Sequence, residues 1–227
     1  MVPWIFIDRA TTPDGTLVEL YSRGAEFVIR AGGRELMASR AFRSELHLAE
    51  LGVAAMSPRP SPCVLVGGMG LGFTLKAALA QVGPAASVVV SEFVPSVVTW
   101  NKGVLGHLAE HPLNDPRVSV ELGDIVDLIK RKTSAYDVIL LDVDNGPGAF
   151  TQGSNGWLYS KVGLRGLRRA LRREGVLAIW SAGSDPVFSK QMKAAGFTCE
   201  EHSVATHRAG RGKRHTIWVG VRTSGEE

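Results

Sequence analysis

Gly68-Met69-Gly70-Leu71-Gly72 follows the apolar run Cys63-Val64-Leu65-Val66 and opens the helical stretch Phe73-Thr74-Leu75-Lys76-Ala77-Ala78-Leu79-Ala80. Strand, glycine turn and helix start come in that order, which is the plan of a nucleotide-binding turn. Glycines serve where the backbone must turn tightly and let a ligand come close, and the helix that follows points unpaired N–H groups at its oxygens. Twenty residues after Gly72, the strand Ser87-Val88-Val89-Val90-Ser91 ends in Glu92, placed to accept hydrogen bonds from both hydroxyls of a ribose. Gly68, Gly70, Gly72 and Glu92 are therefore read as nucleotide-binding residues.

A chain of 227 residues is long enough for one α/β domain with a buried core plus a small appendage. Its 44% hydrophobic and 21% charged residues are those of a globular protein, and no apolar run reaches the ~18 residues of a membrane span. Asp8, Arg9 and Asp14 interrupt the N-terminus too early for a signal peptide, so a cytoplasmic enzyme is expected. Cys63 and Cys199 lack metal spacing and read as buried thiols, with no disulfide and no metal site. The net charge of +4 does not point to nucleic acid, because the basic residues are spread over several elements. Arg165, Arg168, Arg169, Arg172 and Arg173 alternate with Leu164, Leu167 and Leu171 as on the solvated face of an amphipathic helix. The segment from His207 to His215 reads as a glycine-rich loop between strands, either a hairpin or a basic lip over a site.

After the connector Pro58-Arg59-Pro60-Ser61-Pro62, strand and helix patterns alternate. Strands are expected at about 63–67, 87–91, 117–121, 136–142, 175–181, 197–205 and 214–222, and helices at about 72–82, 94–109, 124–132, 157–173 and 185–195. Near-continuous apolar strands such as Val138-Ile139-Leu140-Leu141 belong to a parallel sheet covered on both faces. A last strand pair without a helix between implies one antiparallel partner, the order of a Rossmann-like class I methyltransferase fold with a mostly parallel seven-stranded sheet. Residues 1–57 differ: short strand-like runs joined by Pro13-Asp14-Gly15, Ser22-Arg23-Gly24 and Gly32-Gly33 suggest a small antiparallel β domain. A helix from Ser44 to Met56 leads out of it, and 58–227 form the nucleotide-binding domain.

Ligands of such sheets bind at the carboxyl ends of the strands. Glu92, Asp124 in Leu122-Gly123-Asp124, and Asp142 stand at three of these ends. Asp124 is suited to accept from the exocyclic amine of adenine, and equally to cap the helix that follows it. Asp142 ends an apolar strand, where a carboxylate needs a partner. His47, His107, His111 and His202 form no nucleophile or metal pattern. Gly156-Trp157-Leu158-Tyr159 either walls an acceptor pocket or packs at a helix start.

With these residues placed, the chain resembles the spermidine synthase-like, or polyamine aminopropyltransferase, family over nearly its whole length. The resemblance rests on Val64 to Leu75, Glu92, Gly123-Asp124, Tyr136 to Asp142 and Gly175-Val176-Leu177. It implies S-adenosylmethionine or its decarboxylated form as donor, with Glu92 on the ribose, Gly123 and Asp124 at the adenine, and Asp142 beside the reacting amine. It also implies alkyl transfer to a small-molecule acceptor, with Asp142 or Asp144 placed to take or screen the proton of the attacking group, and leaves a homodimer open.

The departures from that family bear on the acceptor. Laid without gaps, Leu71 falls where the glycine turn normally carries an Asp, Asn145 falls where the later loop carries a second Asp, and Asp144 is one place off. Residues suited to holding a cationic polyamine fall at Met37, Ser39, Arg40 and Arg43, and an expected Gln at Arg34. Arginines stacked around a diamine would repel it. The expectation is thus methyl transfer to a small, anionic acceptor; the alternatives are aminopropyl transfer to a polyamine, and a non-catalytic protein that kept only the donor site.

Overall fold

The computed structural model describes residues 2–143, 154–205 and 214–223. Four short strands come first, β1 (Ile5–Thr11), β2 (Leu17–Arg23), β3 (Glu26–Ala31) and β4 (Arg34–Ala38), and pair in chain order as an antiparallel sheet. Their side chains alternate: Val18, Leu20, Phe27 and Ile29 turn into the core, while the opposite face holds half-buried Glu19, Tyr21 and Arg30 beside buried Val28. Helix α1 (Arg43–Ala54) follows, burying Leu48, Ala49 and Val53.

The second unit alternates β5 (Cys63–Gly67), α2 (Phe73–Gln81), β6 (Ser87–Glu92), α3 (Pro95–Lys102), β7 (Val118–Leu122), α4 (Ile125–Arg131), β8 (Tyr136–Leu141), α5 (Lys161–Ala170), β9 (Leu171–Ser181), α6 (Pro186–Ala194), β10 (Glu200–Ala205) and β11 (Arg214–Val221). The seven strands form one sheet in the order β10-β11-β9-β8-β5-β6-β7. Strands β5 to β9 are mutually parallel and β11 runs against its neighbours. The antiparallel strand is therefore inside the sheet, between β9 and β10, because the hairpin returns β11 into the space beside β9.

Residue period two divides the core between the two faces of the sheet. Val64, Val66, Val138 and Leu140 pack with α1, α2, α3 and the N-terminal sheet. Leu65, Ile139, Leu141, Leu177 and Ile179 pack with α4, α5 and α6. The described residues include no helix long and apolar enough to cross a membrane.

Two expected helices are shorter than their patterns. The one expected over 157–173 starts after Ser160, whose hydroxyl accepts from the Gly163 N–H, and ends at Ala170, since Leu171 pairs with Tyr136 and opens β9. A cross-strand partner outweighed the amphipathic continuation to Arg173. The one expected over 94–109 stops at Lys102, and a short 3-10 turn covers Gly106–Ala109. Cys63 and Cys199 are free thiols and half-buried rather than buried. The basic segment from 206 to 213 lies outside the described residues.

Candidate functional site

The glycine turn leaves β5 at its carboxyl end. Gly68 (φ +90°) and Gly70 (φ +50°) both occupy the left-handed region, and a Cβ at Gly68 would run into the carbonyl of Asp142. Both glycines line a cleft of about 600 Å³ along the carboxyl edge of the sheet. Gly72 does not: it caps α2, and a Cβ there would face Asn101 and Ala109 in the interior. Leu71, aligned in sequence with a family acid, is wholly buried. Asn101, only 1% exposed, donates its side-chain amide to the carbonyl oxygens of Gly70 (2.8 Å) and Val97 (2.9 Å), tying the turn to α3.

Glu92 ends β6 and lines the cleft. One carboxylate oxygen accepts from the Met69 N–H at 2.9 Å and the other from the Val94 N–H at 2.8 Å. Burial pushes this carboxyl above its ordinary range, and the N–H donors of Val94 and Met69 pull it back. The side chain thus shapes the turn as well as facing the cleft. Gly123 and Asp124 follow β7 and also line it. Asp124 caps α4 through the Val126 N–H (2.7 Å), so a helix end fixes the carboxylate at the cleft wall.

Asp142 follows β8 and accepts from the Thr74 hydroxyl at 2.8 Å. Glu45 comes from α1, and its carboxyl is raised well above the usual carboxylate range, first by burial and then by the charge of Asp142. Sequence reasoning missed Thr74, whose only signal is its place in the first turn of the helix after the glycines. Asp144 and Asn145 lie outside the described residues.

The N-terminal sheet closes the cleft with Val18, Ile29, Ala31, Leu36 and Met37, and the β1–β2 turn adds Thr12, Asp14 and Thr16. Every charged side chain among the described lining residues is an acid: Asp14, Glu92, Asp124 and Asp142. Arg34, Arg40 and Arg43 are not among them. Arg40 pairs with Glu26 and, at 2.7 Å, with Glu35. None of the three arginines that sequence placed around the acceptor thus belongs to the described cleft lining. Trp157 and Tyr159 pack: the Trp157 ring lies under Lys130 and against Gly166, and Tyr159 meets Phe188 edge-on at 5.9 Å. Asn155 lines the cleft in their place.

A parallel sheet carrying a glycine turn on one strand end and acids on the next three has the layout of the Rossmann-like class, in which the carboxyl edge of the sheet is the ligand edge. The spermine/spermidine synthase domain model matches residues 52–195, and the chain belongs to that family of transferases. No curated protein sequence matches it. Among solved structures, a spermidine synthase in complex with the transition-state analogue AdoDATO is similar over 96% of this chain and 72% of its own, at 16% identity and TM-score 0.73. Spermidine synthase from Thermotoga maritima gives the same coverage and TM-score at 15% identity. A probable spermidine synthase from Corynebacterium glutamicum covers 98% of this chain and 81% of its own, at 17% identity and TM-score 0.61. At these identities the likenesses show the fold.

Proposed function

We propose that the chain transfers an aminopropyl group from decarboxylated S-adenosylmethionine to a polyamine or related small amine. The observation that carries this reading is the uniformly acidic charge of the described cleft lining. A decarboxylated donor bears only positive groups beyond its nucleoside, and those acids suit it. The intact donor adds a carboxylate for which the described lining offers no cation, and an unpaired buried anion is costly. An anionic acceptor meets the same objection. The family and its structural neighbours favour the aminopropyl alternative over the methyl transfer expected from the sequence.

In this reading Gly68 and Gly70 admit the donor's backbone-facing edge, Glu92 takes the ribose hydroxyls, and Gly123 with Asp124 takes the adenine. The acceptor nitrogen attacks the methylene on the sulfonium, the C–S bond electrons return to sulfur, and neutral methylthioadenosine leaves. Asp142 takes or screens the ammonium proton, with Asp144 as the second candidate. Glu45 and Asp142 together supply negative charge to an ammonium, whose arrival favours ionisation of Glu45.

The test incubates the protein with each donor and putrescine or spermidine, and measures methylthioadenosine against S-adenosylhomocysteine. Methylthioadenosine release that depends on the amine is expected. Amine-independent binding without turnover would favour the non-catalytic alternative, and S-adenosylhomocysteine release would restore methyl transfer.

A further inference from the structure

One wall of the cleft has a geometry that the fold alone does not require. Strand β4 carries a β-bulge against β3: Met37 pairs with Ile29 and Glu35 with Arg30, leaving Leu36 over. In a regular strand, consecutive side chains point to opposite faces. Here Leu36 and Met37 are consecutive and both line the cleft. Bulges re-aim side chains in this way and recur beside functional sites.

The side chain so aimed meets the glycine turn. A Cβ built on Gly70 would lie 2.9 Å from the Met37 sulfur and 3.0 Å from its methyl carbon. The tip of Met37 therefore rests over the backbone of Gly70. The turn beneath it is held: the Gly70 carbonyl is bound to buried Asn101, the Met69 N–H to Glu92, and the chain at Gly68 lies against the Asp142 carbonyl. Of the two surfaces in contact, the pliable one is the methionine, whose unbranched, polarisable thioether adapts its shape.

We propose that Met37, aimed by the bulge at Leu36, determines which arm the donor sulfur can carry, admitting a slim aminopropyl arm and rejecting one that bears a carboxylate. This rests on the aminopropyltransferase reading, since it takes the donor's arm to pass from Glu92 across Gly70 towards Asp142. A thioether and the aliphatic side chains of Leu36, Ile29 and Val18 give a carboxylate no hydrogen-bond donor. A cationic arm is served by Asp142. Shortening Met37 opens room for water beside Gly70, so the carboxylate of the intact donor can stay hydrated.

The experiment measures calorimetric dissociation constants for three nucleosides that differ only in the arm: 5′-methylthioadenosine, decarboxylated S-adenosylmethionine and S-adenosylmethionine. They are compared on the unmodified chain, Met37→Ala and Met37→Val, with a thermal melt to establish that each is folded. The unmodified chain is expected to favour the decarboxylated donor over the intact one by about tenfold or more. Met37→Ala should narrow that ratio by about tenfold while methylthioadenosine affinity stays within about threefold. Met37→Val, a milder change suited to a strand, should narrow it part way and answers the question if the alanine variant does not fold. An unchanged ratio in a folded variant, with all three nucleosides bound, overturns the role of Met37 and leaves the aminopropyl reading intact. Failure of the unmodified chain to bind any of them, or its preference for the intact donor, overturns that reading and the proposal with it.

Discussion

Gly70 is the residue at which backbone geometry and the cleft meet. Valine there would have to hold φ +50° and would strike the Met37 sulfur. The left-handed conformation costs a non-glycine residue about 1–2 kcal/mol, which for a chain of this size lowers the melting temperature by about 2–8 °C. Gly70→Val is expected to remain folded and to lose decarboxylated donor binding in a calorimetric titration; retained affinity would remove the turn from the site. Glu45 yields a pH prediction. Its carboxyl is raised in the folded protein, so the fold binds a proton that the unfolded chain releases. Stability from this source is complete below the ordinary glutamate range and is lost as pH rises through the raised value. Glu45→Gln removes the titration, so its melting temperature should gain on that of the unmodified protein as pH rises above the ordinary glutamate range. A gap that stays flat or closes would mean that Glu45 is not protonated in the fold.

Among the elements, α4 shows how one side chain serves two levels of structure. Asp124 caps the helix through the Val126 N–H and also stands in the cleft wall, so neither of the two readings open from sequence displaced the other. The roles separate by substitution. Asp124→Ala loses the cap, about 1 kcal/mol, whereas Asp124→Ser keeps a capping oxygen and should melt close to the unmodified protein. Both remove a charged acceptor, and both should weaken donor binding by about 1.5–3 kcal/mol. Full affinity in Asp124→Ser would leave the carboxylate a purely structural part. The small N-terminal sheet has a comparable double function: its inner face is core at Leu20 and Phe27, and cleft wall at Val18 and Ile29.

At the scale of the whole molecule, the cleft joins the glycine turn, three further strand ends and the N-terminal sheet, so a donor filling it links parts that unfold together. A ligand bound only to the folded state stabilises it by about 2.7 kcal/mol at a hundredfold excess over its dissociation constant. For a chain of this length that is a rise of about 5–11 °C in melting temperature. Decarboxylated S-adenosylmethionine should produce it, and intact S-adenosylmethionine at the same concentration should produce a smaller one. Equal shifts in a melting series would show that the acidic lining does not discriminate between the donors.

Local sequence sufficed for the α/β alternation, the glycine turn and the acids at the strand ends. These depend on short-range causes: apolar runs that need burial on both faces, glycines at positive φ, and acids placed where a strand stops. It was legible to within a few residues for β5 to β8, and for Glu92, Asp124 and Asp142 as cleft residues. Tertiary structure alone decided which glycines face the cleft. Gly68 and Gly70 do, whereas Gly72 turns to Asn101, because which way a turn presents its backbone depends on the helix packed behind it. It likewise decided that Arg40 is spent on Glu26 and Glu35, which separates a basic segment in sequence from a basic cleft in space. The bulge that turns both Leu36 and Met37 into the cleft is set by register between two strands, a pairing that no local pattern encodes.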